Sequence, residues 1–164
     1  AAAQPFWDTI TRSATPAGSG VWDWLAINAG LPVITAATQD KFVPQVLNWE
    51  LVGGVSFKKG CYPGQEIVAR MQYLGKLKER LYRAHVSTEG SVNPGAPLYG
   101  ARFGDQACGT IINAAPAPDG GTDVLAVIQI ASALNERIRL APAADAPLLE
   151  LLPLPYAVPT APAE

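Results

Sequence analysis

Leu77-Lys78-Glu79-Arg80-Leu81-Tyr82-Arg83-Ala84-His85-Val86 is the first of six short apolar or alternating runs in the second half of the chain. The others are Pro97–Tyr99, Ala107–Ala114, Val124–Ile130, Arg137–Leu140 and Leu148–Leu152, separated by turn clusters such as Val92-Asn93-Pro94-Gly95 and Pro118-Asp119-Gly120-Gly121. Runs of this length bounded by Gly, Pro, Asn and Asp read as strands joined by turns. About six strands in roughly 80 residues predict a small closed or nearly closed antiparallel β-barrel, because closing a sheet on itself hides its edges. Cys108, inside the run Ala107–Ile111, is expected in the core.

Upstream the texture is different. Trp22, Leu25, Ala26 and Ala29 recur at helical spacing and predict a helix over Val21–Ala29, stopped by Gly30 with Pro32 beyond it. Trp22 and Trp24 are expected to pack, the commoner use of tryptophan. Leu31–Thr35 reads as extended, Pro44 suits the first turn of a helix over Val43–Glu50, and Val55–Phe57 reads as a short strand after Gly53-Gly54. Gln65–Tyr73 reads as a helix with Gly64 at its start and Gly75 at its stop. Residues 1–20 read as a loose entry, and those after Tyr156 as a frayed tail. The expected fold class is α+β, divided as residues 1–74, a barrel over 75–156, and a tail over 157–164.

Composition bounds the classes of function. A chain of 164 residues with 49% hydrophobic and 16% charged residues is globular rather than disordered. No apolar run is long enough to span a membrane as a helix, and the Ala-rich opening lacks the basic start of a signal peptide, so no membrane partner is expected. Two cysteines in dissimilar contexts make no disulfide framework and favour a reducing compartment. His85 is the single histidine, and without a Cys-x-x-Cys pair no self-contained metal site is expected. Net charge is −2, yet seven of the 12 Lys and Arg residues fall between Lys58 and Arg83, against only Glu66 and Glu79. That segment reads either as a solvated face or as an attractor of anions. No RNA-binding motif accompanies it, so direct RNA binding is not expected.

The chemistry concentrates in Gly53-Gly54-Val55-Ser56-Phe57-Lys58-Lys59-Gly60-Cys61-Tyr62-Pro63-Gly64-Gln65-Glu66-Ile67-Val68-Ala69-Arg70. Cys61 precedes a helix start, where unpaired N–H groups carry partial positive charge, and Lys58 and Lys59 add full charges beside it, a setting that favours thiolate. A reactive cysteine is one reading; a small packed residue is the other. Glu66 suits the same helix start, and Arg70, at i+4, can pair with it or reach an anion. Tyr62 either stacks on a ligand or packs, packing being the default.

Lys-Gly-Cys-Tyr-x-Gly-Gln-Glu-x-x-Ala-Arg at Lys59–Arg70 resembles the signature of the YgfZ family of folate-binding proteins, relatives of the glycine-cleavage T-protein. The likeness extends upstream through Ala29-Gly30-Leu31-Pro32-Val33-Ile34, Thr38, Phe42-Val43-Pro44-Gln45 and Asn48. It extends downstream through Tyr73 and Gly75 to Pro153-Leu154-Pro155-Tyr156. Where T-proteins carry an acidic residue before Ala-Gly, this chain has Asn28. Members of the family are about twice as long, so the resemblance covers the second half only; with Met71 as the single methionine, it suggests a domain cut from a longer chain or a product of proteolysis.

The resemblance implies that residues 1–74 are the end of a middle T-protein-like domain and that the barrel is the carboxyl-terminal one. It further implies a tetrahydrofolate-binding accessory factor for assembly or repair of iron–sulfur enzymes, including tRNA-modifying ones. Cys61 would be the functional thiol and Lys59 would tune it, while Tyr62, Gln65, Glu66 and Arg70 would contribute to the folate site. Folate would bind weakly or not at all without the amino-terminal domain. The implied partners are folate, iron–sulfur enzymes or their assembly proteins, and that domain. The implied compartment is bacterial cytoplasm, or the mitochondrial matrix in a eukaryote. On this reading the protein is not an enzyme in the ordinary sense. An aminomethyltransferase of the T-protein type and a partner-binding barrel without chemistry of its own are the alternatives.

Overall fold

The computed structural model describes residues 3–159. Alternating runs become strands where expected: β1 (Glu79–Val86), β2 (Pro97–Tyr99), β3 (Ala107–Pro116), β4 (Thr122–Gln129) and β5 (Leu149–Leu152). They form one antiparallel sheet in the order β2-β3-β4-β1-β5. β4 is buried from Asp123 to Ile128, which explains its unbroken apolar run: it is covered on both faces. One face packs Ala84, Val86, Leu98, Ile111, Val124, Ala126, Ile128, Ile138 and Leu149 into an inner cluster. The other packs Leu81, Ile112, Ala115, Leu125 and Val127 against Ile27, Val46 and Leu47 from the first half of the chain.

The sheet curls into an open half-barrel, which corrects the expected closed or nearly closed barrel of six strands. Register shifts between Leu98 and Tyr99 and between Ile111 and Asn113 add residues to β3, and both extra residues, Cys108 and Ile112, are buried. Bulges of this kind bend a strand and increase its twist. The fifth run, Arg137–Leu140, forms no strand. Arg139 alone makes isolated bridges to Tyr99 and Leu148, so the gap between β2 and β5 is crossed at a single residue. A short helix, α4 (Ile130–Asn135), which was not expected, turns the chain out of β4 towards this gap.

In the first half, α2 (Ser19–Asn28) lies against β3 and β4 and ends before Gly30, whose φ of 66° is left-handed. Trp24 is half-buried and its Nε1–H donates to Asp123 Oδ2 at 2.9 Å. Trp22, expected to pack, is 75% exposed on the opposite side of the helix, and the packing expectation is corrected for that residue. Residues 1–20 are not uniformly loose either. An exposed helix, α1 (Ala3–Ile10), forms with Pro5 in its first turn and Gln4 bonded to Asp8 at i+4. Residues 157–159 have no regular structure, and the rest of the expected tail, 160–164, lies outside the described residues.

Two further expectations give way to turns. Residues 44–53 are a series of turns rather than a helix: bonds such as Leu47 N–H to Pro44 O span three residues, and Asn48 sits at φ 60°, which a right-handed helix cannot accommodate. Val55–Phe57 pairs with no strand. Leu31–Thr35 is extended as read, held by the Asn113 carboxamide, which donates to Val33 O and accepts from Val33 N–H, both at 2.9 Å.

Candidate functional site

The helix expected over Gln65–Tyr73 is α3 (Gln65–Leu74), opened by Gly64 at φ 82° and closed at Gly75. Cys61 is exposed in the loop just ahead of it, as are Lys58 and Lys59. The loop is tied to the helix by a reciprocal pair. Tyr62 N–H donates to Gln65 Oε1 and Gln65 N–H donates to Tyr62 O, each at 3.3 Å. Gln65 therefore shapes the loop that presents the thiol. Glu66 and Arg70 pair at 2.8 Å, with side chains 82% and 70% exposed, and at that exposure the pair contributes little to stability. Tyr62 is exposed rather than packed, and Phe57 and Tyr73 meet edge to face across the base of the loop. The geometry gathers Lys59, Cys61, Tyr62, Gln65, Glu66 and Arg70 along the loop and the first turns of one helix.

Only one residue of α3, Val68, is buried, and its carbonyl accepts a 2.7 Å bond from Gln45 Nε2. That bond leads to a polar hub beneath the helix. Asn48 is fully buried; its Nδ2 donates to Leu81 O at 3.0 Å and its Oδ1 accepts from Arg80 Nη1 at 3.1 Å. Arg80 Nη1 also reaches Gln45 O at 2.9 Å and the Glu50 carboxylate, so one nitrogen with two hydrogens serves three acceptors. Tyr156 arrives from the other end of the chain and donates its hydroxyl to Gly30 O at 2.8 Å. A Cβ on Gly30 would lie 2.7 Å from the Tyr156 ring, which is why glycine stands there. Burial pushes the Tyr156 phenol up from its usual range, and the nearby Glu50 charge adds to that push.

None of the hub residues carried a functional role in the sequence reading, although Gln45, Asn48 and Tyr156 lie in stretches that carry the family resemblance. The available signal was the placement of Gln45 and Asn48 around the apolar pair Val46-Leu47, polar positions that a buried segment tolerates only when paired. His85 is bonded through Nδ1 to Asp123 at 2.8 Å, alongside the Trp24 contact. Among the described residues no three His, Cys, Asp or Glu side chains gather to hold a metal ion, and no helix is long and apolar enough to cross a membrane. Tyr62, Glu66 and Arg70 are all exposed, and the Arg70 guanidinium is paired with Glu66.

No family model matches the chain. Three curated proteins called "tRNA-modifying protein YgfZ" are similar to it. The one from Edwardsiella ictaluri is 36% identical over 149 residues, 90% of this chain and 44% of the relative. The one from Shigella dysenteriae is 38% identical over 139 residues, 82% of this chain and 42% of the relative. The one from Colwellia psychrerythraea is 56% identical over 62 residues, 38% of this chain and 19% of the relative. The chain thus spans less than half the length of the curated relatives it matches.

Proposed function

Because the chain is homologous to YgfZ proteins over most of its length, we propose that it is part of a tetrahydrofolate-dependent accessory factor that maintains iron–sulfur enzymes, tRNA-modifying ones among them. Cys61 acts as the working thiol. The observation that carries this reading is the exposure of Cys61 in a loop tied to the start of α3 and flanked by two exposed lysines. A single thiolate does not hold a cluster unaided, so the remaining ligands come from a client enzyme or a small thiol. Lys59 orients or tunes the thiol. Tyr62, Gln65, Glu66 and Arg70 form one wall of a folate site whose other walls belong to the amino-terminal domain of the full-length protein. On this reading residues 1–74 are the end of a middle T-protein-like domain, the factor works in a bacterial cytoplasm or a mitochondrial matrix, and it is not itself an enzyme in the ordinary sense.

The test is Cys61→Ser in the full-length protein, assayed by its support of an iron–sulfur tRNA-modifying enzyme in cells lacking the endogenous factor. Support is expected to be lost while the urea midpoint stays at the wild-type value, because the side chain is exposed and makes no core contact. Full support from the serine variant would refute the role given to the thiol.

A further inference from the structure

α3 is about 15 Å long at 1.5 Å per residue, and Val68 is the only residue in it that is buried. A helix this short is marginal on propensity alone and ordinarily gains its stability by packing an apolar face. On α3 such a face exists and is left largely unused. Ile67, Met71 and Leu74 follow one another at i, i+4 and i+7, which sets them in one stripe along the helix. Ile67 is 64% exposed and Leu74 83%, with Met71 half-buried between them. Aliphatic side chains exposed together along one element mark a contact surface, where singly scattered ones would not.

Charge frames the stripe. Glu66 and Arg70 beside it are paired with each other and cancel. Every other charged residue from 58 to 78 is an exposed lysine: Lys58 and Lys59 ahead of the helix, Lys76 and Lys78 just past its end. Apolar anchors with cations beyond both ends are complementary to an apolar strip flanked by carboxylates. The lysines alone would equally suit a phosphate backbone. Ile67 and Leu74, however, offer neither the stacking planes nor the hydrogen bonds by which RNA is read, and the Tyr73 ring is already met edge to face by Phe57.

We propose that the outer stripe of α3 docks an acidic amphipathic helix of a partner protein. Anchors at i, i+4 and i+7 are the pattern by which a helix meets an apolar partner surface, and the unbranched Met71 adjusts to the shape it meets. Cys61 lies in the loop tied to the start of the same helix, so the surface brings its partner to the thiol. In that use the inference deepens the proposed function and rests on it.

The experiment is a titration of the isotope-labelled chain, read from the methyl resonances of Ile67, Met71 and Leu74. The probe is a helical peptide about 15 residues long that carries leucines on one face and glutamates beside them. Its controls are the same peptide with lysine for glutamate, the same peptide with serine for leucine, and a single-stranded RNA of similar length. The acidic peptide is expected to move the three methyls saturably, and the controls to leave them in place. Leu74→Ser and the double variant Lys76→Glu with Lys78→Glu change exposed positions, and each is expected to weaken the peptide about tenfold while the β4 resonances stay put. Cys61→Ser is expected to bind the peptide as the wild type does, which separates a failure of the docking surface from a failure of the role given to the thiol. Methyls unmoved by the acidic peptide, an equal response to either control peptide, a response to the RNA alone, or an unaltered affinity in either lysine or leucine variant would each overturn the proposal. So would methyl shifts on diluting the chain by itself, which would assign the stripe to a second copy. Loss of peptide binding in the full-length protein would assign it to the amino-terminal domain instead, and would overturn the proposal too.

Discussion

Asn48→Ala tests the hub directly. The substitution removes the donation to Leu81 O and the acceptor for Arg80 Nη1, and it leaves alanine at φ 60°. A neutral buried hydrogen bond is worth about 1 kcal/mol and one to a charged group about 1.5–3 kcal/mol. Left-handed backbone costs a residue with Cβ about 1–2 kcal/mol, a penalty that asparagine partly escapes by bonding locally. Arg80 keeps two of its three acceptors, so the terms overlap and the expected loss is about 3–5 kcal/mol. Urea denaturation followed by tryptophan fluorescence measures it, and Asn48→Gly separates the parts: glycine adopts the same φ freely and recovers about 1 kcal/mol of the alanine loss. A loss below about 1 kcal/mol for Asn48→Ala at an unchanged denaturant slope would refute the reasoning. Equal losses for alanine and glycine would remove the backbone part of it.

Three further outcomes are expected. Burial holds the Cys108 thiol above its ordinary 9.0 and the Tyr82 and Tyr156 phenols above 10.0. Between the ordinary and raised values the native state keeps a proton that the unfolded chain has lost, so the melting temperature should fall as pH rises beyond about 9. In Cys108→Ala the onset of that fall should move towards about 10; an alkaline profile flat through both values in the wild type would contradict the assignment. Gly54→Ala would place a Cβ 2.1 Å from Trp49 Cε3, so it should displace that ring, shift its fluorescence and destabilise by about 1–3 kcal/mol; an unshifted spectrum would count against the packing described. Trp24→Phe, which strips a donor from Asp123, should cost about 1.5–3 kcal/mol in a thermal or urea melt, whereas Trp22→Phe at an exposed position should stay within about 0.5 kcal/mol; equal effects would refute the distinction.

The strands were legible because the sheet is read by alternation and by turn residues, both local in sequence. β1, β2, β3, β4 and β5 all fall within or beside the runs expected for them. The fifth run failed because strand identity needs a continuous neighbour: Arg137–Leu140 makes isolated bridges at Arg139 and single backbone bonds at Ile138 and Leu140, but no ladder. Val55–Phe57 failed for the same reason. The helix expected after Pro44 was a fair reading of a local signal, overridden by long-range bonds that hold Asn48 in a left-handed conformation between Leu81 and Arg80. Trp22 and Trp24 differ in fate because the position of the sheet relative to the helix decides which one is covered. Along the motif, the spacing located α3 and the loop ahead of it. The hub was not legible, since its members come from residues 30, 45–50, 80 and 156 and meet only after folding.

Gln45 holds α3 through one peptide carbonyl, that of Val68, while Ile67, Tyr73 and Leu74 on the same helix face solvent. In terms of timescale, the chain has a slow part and a fast part. Amide hydrogens of α3, anchored only by the Val68 side chain and the Gln45 bond, should exchange at a smaller free energy than those of the doubly covered strand β4. The thiol therefore sits in a loop tied to a lightly anchored helix, while the sheet beneath it stays still.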